Sequence, residues 1–131
     1  MRRSDVGVLE TIIRARGGFG HREHLELAWS YLRVYPIEEA QRVMTEAIGH
    51  VARQHGAEGR YHATITVAWL RCVAVHMQRW GAESFEGFIE RNPDLLDSKL
   101  LEHFYSRELI VGDRARSGWV DPDLRPLPAL A

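Results

Sequence analysis

Three histidines stand at the starts of two predicted helices and are the residues of this sequence best suited to chemistry. His21 and His24 lie in the segment 19–35 (FGHREHLELAWSYLRVY), and His62 opens a second helical segment. Residues three apart share one face of a helix, so His21 and His24 lie on the same side. Neutral imidazole is a preferred ligand for zinc, copper and non-haem iron. The sequence therefore predicts a transition-metal site held by these three histidines.

The three histidines can share a site only if both helix starts meet at one end of a helical bundle. Short loops make consecutive helices antiparallel neighbours, so the second and fourth predicted helices run parallel and begin at the same end. The third helix ends there and brings His55 and Glu58 with it, while His50 lies about a turn deeper. Helix N-termini disfavour the protonated imidazole, which keeps it available as a ligand or a base.

Carboxylates and hydroxyls near these histidines complete the predicted site. Glu58 or Glu102 is expected to act as a carboxylate ligand or general base, and His103 is a further catalytic candidate beside Glu102. Glu23 is an alternative carboxylate on the same helix as His24. Aromatic side chains can stack on a flat ligand, and hydroxyls can orient metal ligands. The predicted substrate pocket is lined by Trp29, Tyr61, Thr64, Thr66 and Trp69.

A structural interpretation of the same residues stays open. A histidine at a helix start often only caps backbone amides, and the spacing HxxH lacks the specificity of the HExxH zinc motif. Tryptophan and tyrosine are more often core residues than a ligand platform. His76 lies about 21 Å from His62 at ~1.5 Å per helical residue, so these two cannot share one site. We expect His76 at the edge of the core.

Length and composition predict one small domain over residues 1–131. The 17 basic and 18 acidic residues nearly cancel, which gives no electrostatic footprint for nucleic acid. No stretch approaches the roughly 18 apolar residues that span a bilayer, and no apolar stretch of a signal peptide follows the first residues, MRRSD. The single Cys72 is expected to be a small buried side chain. These features favour a cytoplasmic protein, and the excess of arginine over lysine favours a bacterial source.

Hydrophobic periodicity predicts an all-α fold, an up-down bundle of four main helices with one or two short C-terminal helices. The fourth main helix begins with YHATITV, an alternating and β-branched run that is typical of a strand, but no other stretch offers a partner strand. Its predicted buried stripe is Ile65, Trp69, Val73, His76, Met77 and Trp80. The main helices are predicted at 6–16, 21–35, 37–55 and 61–80.

The C-terminal part of the chain predicts shorter elements. Ser84 is a predicted N-cap for a helix over 85–91, and a last helix is expected at 97–105, with an extension towards Val111. The segment 113–131 is rich in proline and has no periodicity. We therefore predict an extended tail that Trp119, Val120 and the leucines anchor on the bundle.

Four motifs are distributed along the chain between residues 19 and 128. They are FxHxxHxxxAWxYL at 19–32, YHxTxTxxW at 61–69, LLxxFYSxELI at 100–110 and WVxPDLxPLP at 119–128. In this combination the chain resembles a group of small, mostly uncharacterised bacterial helical proteins that carry no assigned activity. The resemblance implies that the histidine-containing helix starts and the proline-rich tail form one functional arrangement. In it the tail folds over the histidines as a lid, with Asp121, Asp123 or Arg125 near the pocket.

The function predicted from the sequence is a small bacterial enzyme that acts on a small organic molecule with a divalent transition metal (iron, copper or zinc). An oxygenase, hydrolase or lyase would use such a site. Two alternatives stay open: a metal-free lyase or isomerase based on histidine acid–base chemistry, and a non-catalytic module that binds a small ligand or a partner. A homodimer through an exposed aromatic face belongs to the last alternative. None of them involves nucleic acid or a membrane.

Overall fold

The computed structural model describes residues 3–130, with side chains from residue 5 on, and contains helices and no strand in this range. This confirms the all-α prediction, including the helical segment that begins with YHATITV. Met1, Arg2 and Ala131, at the ends of the predicted domain and tail, lie outside the described residues. The α-helices are α1 (Arg3–Arg16), α2 (His21–Leu32), α3 (Ile37–Gln54), α4 (Ala63–Trp80), α5 (Phe85–Arg91), α6 (Arg107–Ile110) and α7 (Asp113–Ser117). Short 3-10 helices occupy Glu58–Arg60, Pro93–Leu96 and Leu100–His103.

The chain divides into two compact units, the first ending at Tyr61 and the second beginning at His62. In the first unit α1, α2 and α3 each contact the other two. α1 ends at Arg16 because Gly17 adopts a left-handed φ of 79°, as its position after the predicted helix indicates. The apolar core of this unit contains side chains at most 2 % exposed: Leu9, Leu25, Leu27, Val43 and Met44.

A buried carboxylate adds a polar tie to the first unit. Asp5, in the first turn of α1, accepts a hydrogen bond of 2.8 Å from the Tyr35 hydroxyl. The Tyr31 hydroxyl donates to the backbone carbonyl of Asp5. Burial, and after it the charge of Asp5, raises the pKa of Tyr31 above its ordinary value, so this phenol stays neutral and donates. Two tyrosines thus hold the start of α1 against α2 and the turn that follows it.

The second unit is built around α4, which is buried on most of its circumference and contacts α5 and α7. The predicted single stripe is wrong, although Trp69 and Val73 are buried as expected. Trp80 is 52 % exposed, whereas residues outside the stripe are at most 5 % exposed: Val67, Leu70, Cys72 and Val75. Sequence AWLRCVAV offers apolar side chains on nearly every face, so a stripe could not be selected from periodicity alone.

The helix predicted at 97–105, with its extension to Val111, is wrong as one element. The chain instead forms the 3-10 helix Leu100–His103, a turn, and α6. Ser106 interrupts the helix because its N–H donates to the Asp123 carboxylate at 2.8 Å rather than to a carbonyl one turn earlier. Its hydroxyl then caps α6 by accepting the N–H of Leu109 at 3.2 Å.

The segment predicted as an extended tail begins with a helix, α7. Its Ala115 is fully buried, and α7 contacts α4. The sequence DRARS has one apolar position and is too short to show a helical period, so the pattern could not indicate this helix. After α7 the described tail has no regular secondary structure. Val120 is buried as predicted, but the Leu124 side chain is 57 % exposed, and Leu124 ties the tail to the second unit through its N–H, which donates to the Phe104 carbonyl at 2.9 Å.

Candidate functional site

The predicted metal ligands at the start of α2 lie in positions that begin the helix. Gly20 is the N-cap, and its N–H donates to the Glu23 carboxylate at 2.8 Å, as in one half of a capping box. Phe19 stacks on the ring of His24, with centroids 5.7 Å apart and 26° between the planes. This contact is a staple between the residue before the cap and the fourth residue of the helix, formed here on an imidazole. His21 is the first helical residue and is half-buried.

His62 is the N-cap of α4, and both of its ring nitrogens are engaged. Nδ1 accepts the N–H of Ile65 at 3.1 Å, which satisfies one of the amides left open in the first turn. Because Nδ1 accepts, the proton of the neutral ring lies on Nε2, which donates to the Ile110 carbonyl at 2.7 Å. A metal ion bound at His62 would have to displace one of these hydrogen bonds.

The two threonines predicted to line the substrate pocket are buried and engaged within the second unit. Thr64 is fully buried, and its hydroxyl donates to the Gly118 carbonyl at 2.8 Å and accepts the Val120 N–H at 3.1 Å. Thr66 is 3 % exposed and donates to the His62 carbonyl at 2.8 Å. The hydroxyl of Thr64 therefore joins α4 to the tail.

A second set of hydrogen bonds joins the tail to the segment before α6. The Tyr105 hydroxyl donates to the Val120 carbonyl at 2.7 Å, and burial is the main cause that raises the pKa of Tyr105 to about 12. The Asp123 carboxylate accepts the hydroxyl of Ser106 at 2.5 Å and its N–H at 2.8 Å. These two bonds hold the pKa of Asp123 below its ordinary value.

Trp119 completes the attachment of the tail. The guanidinium carbon of Arg71 lies 4.1 Å from the centroid of the indole ring, a cation–π contact. The indole N–H donates to the Asp121 carboxylate at 3.0 Å. The predicted lid residues Asp121 and Asp123 thus have partners within the second unit, and Arg125 is exposed. The lid itself stays a prediction.

The remaining predicted pocket and catalytic residues divide between core and surface. Trp29 and Trp69 are core residues, 6 % and 3 % exposed. Glu102 and His103 are exposed on the 3-10 helix Leu100–His103. Neither tryptophan offers an open face for a substrate, and the structure gives Glu102 and His103 a solvated environment.

The described part of the chain offers no ready-made metal centre. Among residues 3–130, no group of three or more His, Cys, Asp or Glu side chains could hold a metal ion. The Cys72 thiol is buried as predicted, and burial raises its pKa to about 12, so it stays protonated. Metal binding by His21, His24 and His62 stays a prediction from the sequence.

A surface cleft of about 320 Å³ lies beside the C-terminal half of α3, within the first unit. Beyond α3, Gly56 reverses the chain with a left-handed φ of 63°. The Ala57 N–H then donates back to the Ala52 carbonyl at 2.7 Å, and the 3-10 helix Glu58–Arg60 contacts α3. The cleft is lined by Thr45, Glu46, Gly49, Ala52, Arg53, Glu58 and Tyr61.

The polar residues of the cleft differ in whether the protein already pairs them. Glu46 forms an ion pair with Arg42 at 3.4 Å. The side chains of Arg53, Glu58 and Tyr61 have no hydrogen-bond, ion-pair or ring partner among residues 3–130. Partial burial raises the pKa of Tyr61, so its phenol is a neutral hydroxyl at physiological pH. The cleft therefore presents one cation, one anion and one hydroxyl without protein partners.

Gly49 leaves room for the side chain of Arg53. A Cβ atom at Gly49 would lie 3.3 Å from Nη1 of Arg53, closer than most such contacts. The guanidinium thus lies back along α3, in the direction in which helical side chains point. A Cβ atom at residue 49 would require the Arg53 guanidinium to shift by a few tenths of an ångström.

The sequence predicted Glu58 and Tyr61 as residues of the histidine site, which stays a prediction, and the structure places both of them in the lining of this cleft. Gly49 and Arg53 were missed, although they lie four residues apart and share one face of α3. The sequence feature that could have indicated them is this face of α3, which is followed directly by the glycine-containing turn HGAEGR. A turn after an amphipathic helix brings the chain back onto it, and polar residues on both sides of the turn can then line one surface.

No helix within residues 3–130 is long and apolar enough to cross a membrane. The resemblance to small bacterial helical proteins stays a prediction from the four motifs. Comparison with protein-family models, with curated proteins and with solved structures finds no match to this chain.

Proposed function

We propose that the protein binds a small organic molecule in the cleft on α3 and does so without catalysis. The observation that carries the proposal is the set of three polar side chains, Arg53, Glu58 and Tyr61, that line one cleft and have no partner among the described residues. A ligand can supply those partners at a concave surface. This function corresponds to the non-catalytic alternative predicted from the sequence.

The size of the cleft supports a small ligand. Its volume of about 320 Å³ lies at the lower end of the roughly 300–1,000 Å³ usual for small-molecule pockets. Ala52 and the missing side chain of Gly49 leave space along α3.

The cleft residues support binding better than catalysis. Because burial raises the pKa of Tyr61, its phenol is a hydrogen-bond donor rather than a base at neutral pH. Glu58 is exposed, and no group among residues 3–130 forms a hydrogen bond or ion pair that orients its carboxylate. A general base, in contrast, must be held within hydrogen-bond reach of the proton that it removes.

The metal-dependent enzyme stays a prediction. It requires an up-down bundle of four main helices in which the starts of α2 and α4 meet, so that His21, His24 and His62 share an ion. The cytoplasmic location, the homodimer and the lack of a nucleic-acid partner also stay predictions from the sequence.

Two-dimensional NMR of the isotopically labelled full chain, titrated with a library of small metabolites, tests the proposed function. We expect at least one compound to shift the amide signals of the cleft, such as those of Gly49, Ala52 and Glu58, and to saturate. Ala52→Leu should remove the response by filling the cleft, whereas Ala15→Leu, on the exposed end of α1, should preserve it. A library that leaves all cleft amides unmoved would overturn the proposal.

A further inference from the structure

We infer that the ligand of the cleft is a small zwitterion, a molecule that carries an ammonium and a carboxylate group, as a free amino acid does. This inference rests on the proposed function, because it names the ligand class of the same cleft. It follows from which charges of the cleft remain available.

The available charges of the cleft are one of each sign. Glu46 also lines the cleft, but Arg42 pairs with it at 3.4 Å and with Glu39 at 3.4 Å. The unpartnered charges are therefore the Arg53 guanidinium and the Glu58 carboxylate. A ligand with only a positive or only a negative charge would form an ion pair with one of them and leave the other to water.

Arg53 and Glu58 do not pair with each other, although both line the cleft and they are only five positions apart in sequence. Arg53 lies at the end of α3, and Glu58 belongs to the 3-10 helix on the returning segment. The turn at Gly56 fixes both backbones, since α3 and the 3-10 helix are joined by the Ala57–Ala52 hydrogen bond. A zwitterion can bridge two opposite charges that line one cleft and do not pair with each other.

Each group matches one part of such a ligand. A guanidinium offers a planar fork of N–H donors, which binds a carboxylate through two parallel hydrogen bonds. The Glu58 carboxylate accepts N–H bonds from an ammonium group. The neutral Tyr61 hydroxyl, half-buried beside them, can donate to the carboxylate or accept from the ammonium.

The test compares three probes of similar size: alanine, propanoate, which lacks the ammonium group, and ethylamine, which lacks the carboxylate. Mixtures of the other amino acids extend the first probe to different side chains. NMR titration of the full chain follows the Gly49, Arg53 and Glu58 amides. We expect an amino acid to bind at least tenfold more tightly than either single-charge probe.

Variants locate the two charges. Arg53→Gln and Glu58→Gln should each weaken amino-acid binding at least tenfold, whereas Arg14→Gln and Glu10→Gln, exposed on α1, should leave it unchanged. Gly49→Ala should also weaken binding because its Cβ atom displaces the Arg53 guanidinium. The same variant should have a higher melting temperature, because alanine is a better helix former than glycine. Weaker binding by a more stable chain cannot be attributed to unfolding.

The outcomes separate the inference from the proposed function. Equal binding of a single-charge probe, or unchanged binding in both Arg53→Gln and Glu58→Gln, would overturn the zwitterion. If a metabolite other than a zwitterion shifts the cleft amides and no amino acid does, the ligand class is wrong and the proposed function stands. If no compound shifts these amides, both are wrong.

Discussion

The cleft on α3 and the tail attachment in the second unit contain similar side chains in opposite situations. In the tail attachment every polar group discussed has a protein partner: Thr64 bridges Gly118 and Val120, and Ser106 binds Asp123. In the cleft Arg53 and Glu58 have none among the described residues. The polar groups of the tail attachment already bind protein partners, whereas the Arg53 and Glu58 side chains can still bind a ligand.

This difference follows from burial. Thr64 is fully buried, and a buried polar group without a partner costs roughly 1–3 kcal/mol. Arg53 and Glu58 are exposed, so water satisfies them until a ligand arrives. Residue types alone cannot distinguish the two situations, because the sequence does not show whether a polar side chain has a protein partner. The residue types of the motif YHxTxTxxW suggest a chemical site. In the structure its histidine and threonine side chains form hydrogen bonds within the second unit.

The largest expected effect is that of Thr64→Val. Valine has the shape of threonine but leaves the Val120 N–H and the Gly118 carbonyl without their partner. The free energy of unfolding should fall by roughly 2–3 kcal/mol, measured by urea denaturation. Thr45→Val, on the wall of the cleft, should change it by less than about 0.5 kcal/mol, because the Thr45 hydroxyl bonds only to carbonyls of its own helix.

Thr64→Ser is the matched control, since it keeps the hydroxyl and loses one methyl group. Its cost should stay near 1 kcal/mol, the value of one buried methyl group with its cavity. Equal losses for Thr45→Val and Thr64→Val would contradict the distinction between the cleft and the tail attachment.

His62 provides the second test, because a cap and a metal ligand respond differently to asparagine. His62→Ala should lower the stability by about 1 kcal/mol, and His62→Asn should recover part of this because asparagine is a good N-cap. Elemental analysis of protein purified without a His tag or chelator accompanies the denaturation. About one equivalent of a transition metal, lost in both variants, would establish the metal site and contradict a purely structural histidine.

The helices of this chain could be predicted from the sequence because their signals are local. Gly17, Pro36 and Ser84 stand at helix boundaries, and each boundary lies within a few residues of its predicted place. The strand-like start of α4 was also assigned correctly, since a strand needs a partner and the chain offers none. Glycine, proline and capping residues near the helix ends were sufficient to predict these helices.

The hydrogen bonds of the second unit could not be predicted in the same way, because they join residues that are distant in the sequence. Ser106 interrupts the predicted helix by binding Asp123, which lies 17 residues later. His62 uses its second nitrogen for Ile110, 48 residues away. The cleft could not be predicted for the opposite reason. Its argument depends on the lack of a partner for the Arg53 and Glu58 side chains among the described residues, and no sequence pattern shows that a contact is absent.

The third prediction concerns acid and the Asp123–Ser106 bonds. The hydrogen bonds from Ser106 lower the pKa of Asp123 from its ordinary value of 3.8. A lowered pKa in the folded state contributes stability above the ordinary value, and this contribution is lost as the pH falls through the folded-state pKa. The melting temperature should therefore drop below about pH 4 more steeply in the wild type than in Asp123→Asn.

Asp113→Asn is the control for this pH profile, because Asp113 is exposed and its side chain has no partner among the described residues. It should keep the wild-type steepness. A profile for Asp123→Asn that parallels the wild type would show that the Ser106 bonds do not hold the tail.

The smallest expected effect is the most informative for the cleft. Arg53→Gln and Glu58→Gln, alone or together, should change the free energy of unfolding by no more than about 0.5 kcal/mol, because neither side chain gives up a protein partner. Urea denaturation of the ligand-free chain measures this. A loss comparable to that of Thr64→Val would mean that the two charges already stabilise the fold. The cleft would then resemble the tail attachment, and its unpaired groups could no longer be the argument for a ligand.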